Sequence, residues 1–269
     1  MSVRLADPVP LRTSAVWPAF AAPEPLPMVY GRCTVPAIQI DPSRKFWLVA
    51  DHPIAGIESV YRDGRPEATY AWRNGVDPTG HPVGLLELGE PLAANATLSA
   101  TIRGKIHPDN GALLENPADV LQDILRLAGH AVADAEVAAF RAAAADRPVA
   151  GVLDAGLTLR AQLAELAASV GMLWGLALPG LATRWPVETR PADAPLYARF
   201  GPTDFSAARA ACRLDDLYTE LRVEYDWDWT RNRARRAVIL RADSATHHGA
   251  RPTTLPAKWL TGAAQATAR

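Results

Sequence analysis

The chain has 269 residues, 49% of them apolar and 21% charged, which is the composition of a folded globular protein and excludes a disordered one. Twenty-eight Lys and Arg offset 29 Asp and Glu to a net charge of −1, so no global field is available to hold nucleic acid or an anionic membrane. No run approaches the roughly 18 apolar residues of a membrane span, and residues 1–27 lack the basic-then-apolar pattern of a secretory signal.

Residues 1–27 carry Pro8, Pro10, Pro18, Pro23, Pro25 and Pro27. Proline fixes φ and removes an amide donor, so this segment reads as an extended arm rather than a helix or central strand. Trp17 and Phe20 are its large apolar groups. They are candidate contacts to a neighbouring subunit, with docking on the chain's own domain as the alternative.

Residues 28–104 read as a β-rich domain. Alternation with β-branched residues predicts strands at 29–40, 46–50, 57–62, 65–72 and 96–103, and Asp63-Gly64 supplies the positive φ values of a tight hairpin turn. Residues 115–170 read as a three-helix insert. Asn116 and Pro117 are an N-cap and first-turn pair, Gly129 is a stop, Asp134 caps a second helix and Thr158 a third. Residues 171–269 read as a second β-rich domain. It begins with a hairpin around Pro179-Gly180. Its strongest strand is 217–227, where Leu217, Thr219, Leu221, Val223, Tyr225 and Trp227 alternate with polar residues. A basic turn at 232–236, a return strand at 237–241 and a terminal helix over 258–269 complete it. The expected fold is α+β, with antiparallel strand-rich barrel or sheet regions flanking a three-helix insert.

Few residues carry recognisable chemistry. Gly-rich phosphate loops, a GxSxG elbow and HExxH are absent. Cys33 and Cys212 read as two buried thiols in a reducing cytoplasm, and His247-His248 as a solvated loop. Neither a cofactor nor a metal site is expected. Asp226 and Asp228 flank Trp227, with Trp229 next. On a continuous strand the two carboxylates would share one face about 7 Å apart, a spacing loosely compatible with a glycosidase pair beside tryptophan sugar platforms. The competing reading is a strand entering a turn, its acids paired across the hairpin with Arg231, Arg233, Arg235 and Arg236. Those arginines could instead face a channel through which DNA passes.

The stretch 115–125, Glu-Asn-Pro-Ala-Asp-Val-Leu-Gln-Asp-Ile-Leu, resembles the "NPADVI-x-DLL" helix of tail-tip hub proteins of tailed phages and phage-like gene transfer particles. Residues 28–32 and 57–64 resemble that family's entry strands. Residues 134–145 and 163–171 resemble two of its helices, and 217–229 with Asp243-Ser244 its late strand pair. The likeness covers about 28–249. It implies a non-enzymatic virion protein, made in the host bacterial cytoplasm. Such a protein forms a ring with copies of itself, meets distal-tail, fibre and tape-measure proteins, and gates the DNA channel. Family members often continue into further barrels or fibre domains; for a chain ending at Arg269 the resemblance leaves two expectations, a separate hub subunit whose partners supply those parts, or a chain without the full ring-forming architecture. The alternative function is a carbohydrate-binding or glycoside-cleaving protein using Asp226 and Asp228 with Trp227 and Trp229.

Overall fold

A computed structural model describes residues 4–17, 23–171, 173–177, 180–184, 218–243 and 245–267. The fold is mixed α+β, and none of its several antiparallel sheets closes into a barrel. The strands in chain order are β1 Val29–Tyr30, β2 Arg32–Pro36, β3 Ile38–Gln39, β4 Phe46–Ala50, β5 Ile54–Arg62, β6 Arg65–Glu67, β7 Tyr70–Val76, β8 Pro82–Leu88, β9 Leu98–Lys105, β10 Gly151–Val152, β11 Leu173–Ala177, β12 Gly180–Arg184, β13 Glu220–Asp228, β14 Arg233–Arg241 and β15 Pro252–Pro256. The helices are α1 Pro117–Leu127, α2 Asp134–Ala143, α3 Leu159–Val170, and the short α4 Ala245–His248 and α5 Ala263–Thr267.

Two four-stranded sheets, β2-β9-β5-β6 and β3-β4-β8-β7, enclose one core. Period-two alternation assigns the faces. Cys33, Val35, Val60, Leu98, Ala100 and Ile102 point inward from the first sheet, and Trp47, Val49, Leu86 and Leu88 meet them from the second. The predicted strand 29–40 is three strands. Gly31 takes φ +61, and a Cβ there would lie 2.1 Å from the Val149 carbonyl oxygen, so β1 turns away and pairs with β10. The predicted strand 65–72 also divides. Its first part, β6, stays with β5, and its second, β7, crosses to the other sheet after the Glu67 carboxylate captures the Thr69 amide at 3.0 Å. Asp63 and Gly64 have φ of 51 and 76, the tight turn that Asp-Gly predicts.

Strand β8 escaped prediction because both its faces are buried. Leu86 and Leu88 face the sandwich, while Val83 and Leu85 face outward into a small cluster with Leu48, Trp17 and Leu26. Trp17 is therefore 7% exposed within its own chain, not offered to a neighbour, and the expectation of a subunit-contact arm is corrected for this residue. Phe20 lies outside the described residues. Arg12 clamps the arm: its guanidinium binds Asp51 at 2.8 Å and also Asp77, whose side chain is fully buried. The Leu26 amide donates to the Arg12 carbonyl and the Ser14 amide to that of Glu24, folding the arm on itself.

The three predicted helices are present. The Asn116 carboxamide accepts from the Ala118 amide at 2.9 Å and donates to the Arg141 carbonyl at 3.1 Å, tying the start of α1 to the end of α2. Thr158 caps α3, and Gly171 ends it in the left-handed region. The helices share their core with distant segments. Tyr30 of β1, Val223 and Tyr225 of β13, and Trp259 pack among Leu121, Ile124, Leu125, Leu163 and Leu166. The segments read as 115–170 and 171–269 thus close a single core. The predicted helix 258–269 is only α5, because Trp259 is buried ahead of it: its amide donates to the Ser169 hydroxyl at 3.2 Å and its carbonyl accepts from the Ala150 amide at 3.1 Å.

Burial pushes the Asp77 carboxyl up, but Arg12, the Thr79 hydroxyl and two amides outweigh it and hold the group well below the ordinary carboxylate range. Its stabilising contribution is thus present above about pH 4 and lost as pH falls toward the lowered value. Arg12→Ala is expected to destabilise by about 3 kcal/mol at neutral pH, by leaving Asp51 and Asp77 buried without a cation. The deficit shrinks as pH falls, first as Asp51 protonates, because burial holds its carboxyl above the ordinary value, and then below about pH 4 as the Asp77 contribution is lost, which urea denaturation at several pH values measures. A Cβ at Gly151 would stand 2.5 Å from the Trp259 ring. Gly151→Ala is accordingly expected to cost about 1–3 kcal/mol in the same assay.

Candidate functional site

The residues singled out by sequence converge on the β13–β14 hairpin, whose ladder pairs Glu220 with Arg241 and Asp228 with Arg233. The turn is residues 229–232, so of the basic run only Arg231 is in it. Arg233, Arg235 and Arg236 belong to β14, and the predicted turn at 232–236 is corrected accordingly. Position 226 explains the local shape. Asp226 takes φ +55, drops out of the ladder between the Tyr225–Arg236 and Trp227–Ala234 pairs, and donates its amide to the Leu260 carbonyl at 2.9 Å. Asp is among the few residues that tolerate this conformation. The kink breaks the alternation on which a shared face for Asp226 and Asp228 depends.

Each carboxylate has a partner within the hairpin. Asp226 lies 3.5 Å from the Arg236 guanidinium. Asp228, only 6% exposed, accepts from the Thr230 hydroxyl at 2.6 Å and amide at 3.0 Å and lies 3.5 Å from Arg235. Burial alone would push the Asp228 carboxyl up. The Thr230 hydroxyl, the Arg235 charge and the Thr230 and Arg231 amides outweigh it and hold the group below its ordinary value. A general acid of the glycosidase type needs the opposite shift. The acids thus pair with Arg235 and Arg236 across the hairpin, whereas Arg231 and Arg233 have no acid within ion-pair distance among the described residues. Trp227 is half-buried, its indole N–H 3.3 Å from the Asn232 carboxamide oxygen and the Lys258 ammonium 5.7 Å from its ring centre. Trp229 meets Trp259 edge-on at 6.4 Å and packs against the sandwich core.

The hairpin tip overhangs the outer face of β2, β9 and β5. That face is a lattice of hydroxyls. Thr34 and Thr101 are 2.9 Å apart, and the Ser59 hydroxyl donates to the Tyr61 oxygen at 3.0 Å. Arg235 reaches down to Thr34 at 3.2 Å and fixes the hairpin to the sheet. Between the two lies a cleft of about 760 Å³. Arg231 spans its mouth: a Cβ on Gly64 would lie 3.7 Å from the Arg231 guanidinium. Sequence reasoning found the hairpin side of this cleft and missed the sheet side. The available signal was the row of hydroxyl residues at outward-facing strand positions.

The other expectations have simpler outcomes. Cys33 is buried, and burial pushes its thiol up to about 12; Cys212 lies outside the described residues. His247 and His248 end the single turn of α4, not a loop, and their side chains are outside the described residues. No helix among the described residues is long and apolar enough to cross a membrane. Compared with protein-family models and with curated proteins, the chain matches none.

The kink at Asp226 yields a test. Asp226→Gly keeps the left-handed conformation available, at the cost of one ion pair whose arginine is largely exposed. Asp226→Val forces a β-branched residue into it and is expected to be about 1–3 kcal/mol less stable than the glycine variant. Thermal unfolding of the two variants side by side measures the difference, and equal stability would remove the backbone argument.

Proposed function

We propose that the chain is a structural component of a phage tail tip or baseplate, a hub-type ring subunit that links the tail tube to the distal fibre and gates the DNA channel. The observation that carries this reading is the order and spacing of the tail-tip-like segments, beginning with Asn116-Pro117-Ala118-Asp119. The fold gives those segments framework roles, which supports the reading. Asn116 joins two helices, Asp119 pairs with Arg141 at 2.6 Å, the 163–171 segment packs into the central core, and β13 is the middle strand of β14-β13-β15. The internal pairing of Asp226 and Asp228 also favours a mechanical over a hydrolytic role.

In this reading the subunit works by contact. Neighbouring copies hold a closed ring, engagement of a receptor by the fibre shifts the population toward an open one, and DNA passes transiently. Its partners are copies of itself and the distal-tail, fibre and tape-measure proteins, and it resides in the virion tail after synthesis in the host cytoplasm. Mass spectrometry and electron microscopy of purified particles from the producing strain test it. The chain is expected at the distal tail end in a fixed copy number, and particles lacking it overturn the proposal.

A further inference from the structure

The cleft between the β13–β14 turn and the sheet face has no role in the assembly reading, yet it is built from groups held in place on both sides. We propose that it binds a neutral saccharide.

The ligand class follows from the balance of its groups. Arg231 and Arg235 line it together with Asp63 and Asp228, so two cations face two anions and an oxyanion gains little net attraction. Its walls are mixed: Pro36 and Leu98 give apolar surface that can meet the C–H face of a sugar, but an apolar ligand would have to cover the charged and hydroxyl groups beside it. What the cleft supplies instead is a dense set of directional donors and acceptors. The Tyr61 hydroxyl is held between Ser59, at 3.0 Å, and Thr101, so it presents a fixed polar edge to the cleft. Asp63 takes the Thr97 amide at 2.8 Å and hydroxyl at 3.2 Å on Oδ1, and its Oδ2 has no partner among the described residues. The Arg231 guanidinium has no acid partner among them either, and offers a planar fork of donors at the mouth. Adjacent hydroxyls on a sugar ring each donate and accept, which matches a free donor and a free acceptor on opposite walls.

Pre-organisation points the same way. Arg235 is pinned by Thr34 and Asp228, and Asp228 by Thr230, so these side chains have their entropy already lost before a ligand arrives. A cleft of about 760 Å³ lies within the range of about 300–1,000 Å³ usual for small-ligand sites. This sugar site differs from the Asp226–Trp227–Asp228–Trp229 pair read from sequence. Asp228 is here an internal tether, and Trp229 packs against the sandwich core.

The inference does not rest on the assembly reading, and its test needs no particle. Saturation-transfer NMR on the full chain uses maltotriose, cellotriose, mannotriose and triacetylchitotriose, with inorganic phosphate and sialyllactose as anionic arms. At least one neutral trisaccharide is expected to bind. Arg231→Ala is expected to weaken it about tenfold and Tyr61→Phe about threefold, while Arg73→Ala on the other sheet leaves it unchanged. The proposal is overturned if no neutral trisaccharide binds, if only phosphate or sialyllactose binds, or if binding survives Arg231→Ala at full strength. Arg231 is exposed and unpaired, so its removal leaves the fold intact.

Discussion

Trp259 is the contact on which the arrangement of the other parts depends. Its ring is fully buried, tilted against Tyr30 at 6.2 Å and edge-on to Trp229 at 6.4 Å, and Gly151 opposite leaves the room it occupies. It therefore touches the strand entering the sandwich, the strand leaving the helical layer and the tip of the late hairpin. Its indole N–H has no hydrogen-bond partner among the described residues, which costs about 1–3 kcal/mol. Burying roughly 200 Å² of ring contributes about 5 kcal/mol, an upper figure that still exceeds that cost. The site inherits its shape from this choice. With Trp259 in place, the next carbonyl, that of Leu260, meets the Asp226 amide, and Asp226 leaves its ladder to make the bond. The kink that follows directs the hairpin tip over the hydroxyl face of the sandwich.

A second constraint acts at the opposite side of the molecule. The sheet β3-β4-β8-β7 is apolar on both faces, and only one can face the sandwich core. The proline-rich arm solves this by laying Trp17 and Leu26 on Leu48, Val83 and Leu85. Prolines suit the task, because an arm with few amide donors leaves few unsatisfied groups when pressed onto a sheet face. Apolar contact alone lacks direction, and Arg12 provides it by bonding to carboxylates from two separate loops.

The local signals were legible and the long-range ones were not. Asn116-Pro117, Thr158 and Asp63-Gly64 fix the chain through their own backbone preferences, and each did in the fold what it promised in the sequence. Strand β8 failed to show because burial on both faces erases alternation, and its Pro82 and Gly84 read as breakers. Strand β15 stayed hidden because its parallel pairing with β13 is set by distant residues. The candidate site divides in the same way. Asp226, Asp228 and the arginines stood out as a cluster of charge within one hairpin. Thr34, Tyr61 and Ser99 are ordinary outward strand residues until tertiary structure places a hairpin above them.

The same hairpin bears on how copies of the chain can meet. Among the described residues β14 is an outer strand, and an open strand edge invites pairing with another. Here Arg233, Arg235 and Arg241 recur along that edge, and strand addition would bring each guanidinium beside its counterpart or strip it of water. The longest uncharged stretch of the edge, Ala237–Leu240, is four residues, at the short end of strand lengths, and is bounded by Arg236 and Arg241. At this edge, copies of the chain would meet more readily through side-chain surfaces than through an added strand. Contacts of that kind can be broken and remade without unzipping backbone hydrogen bonds, and a gate that opens under an external trigger has the same requirement.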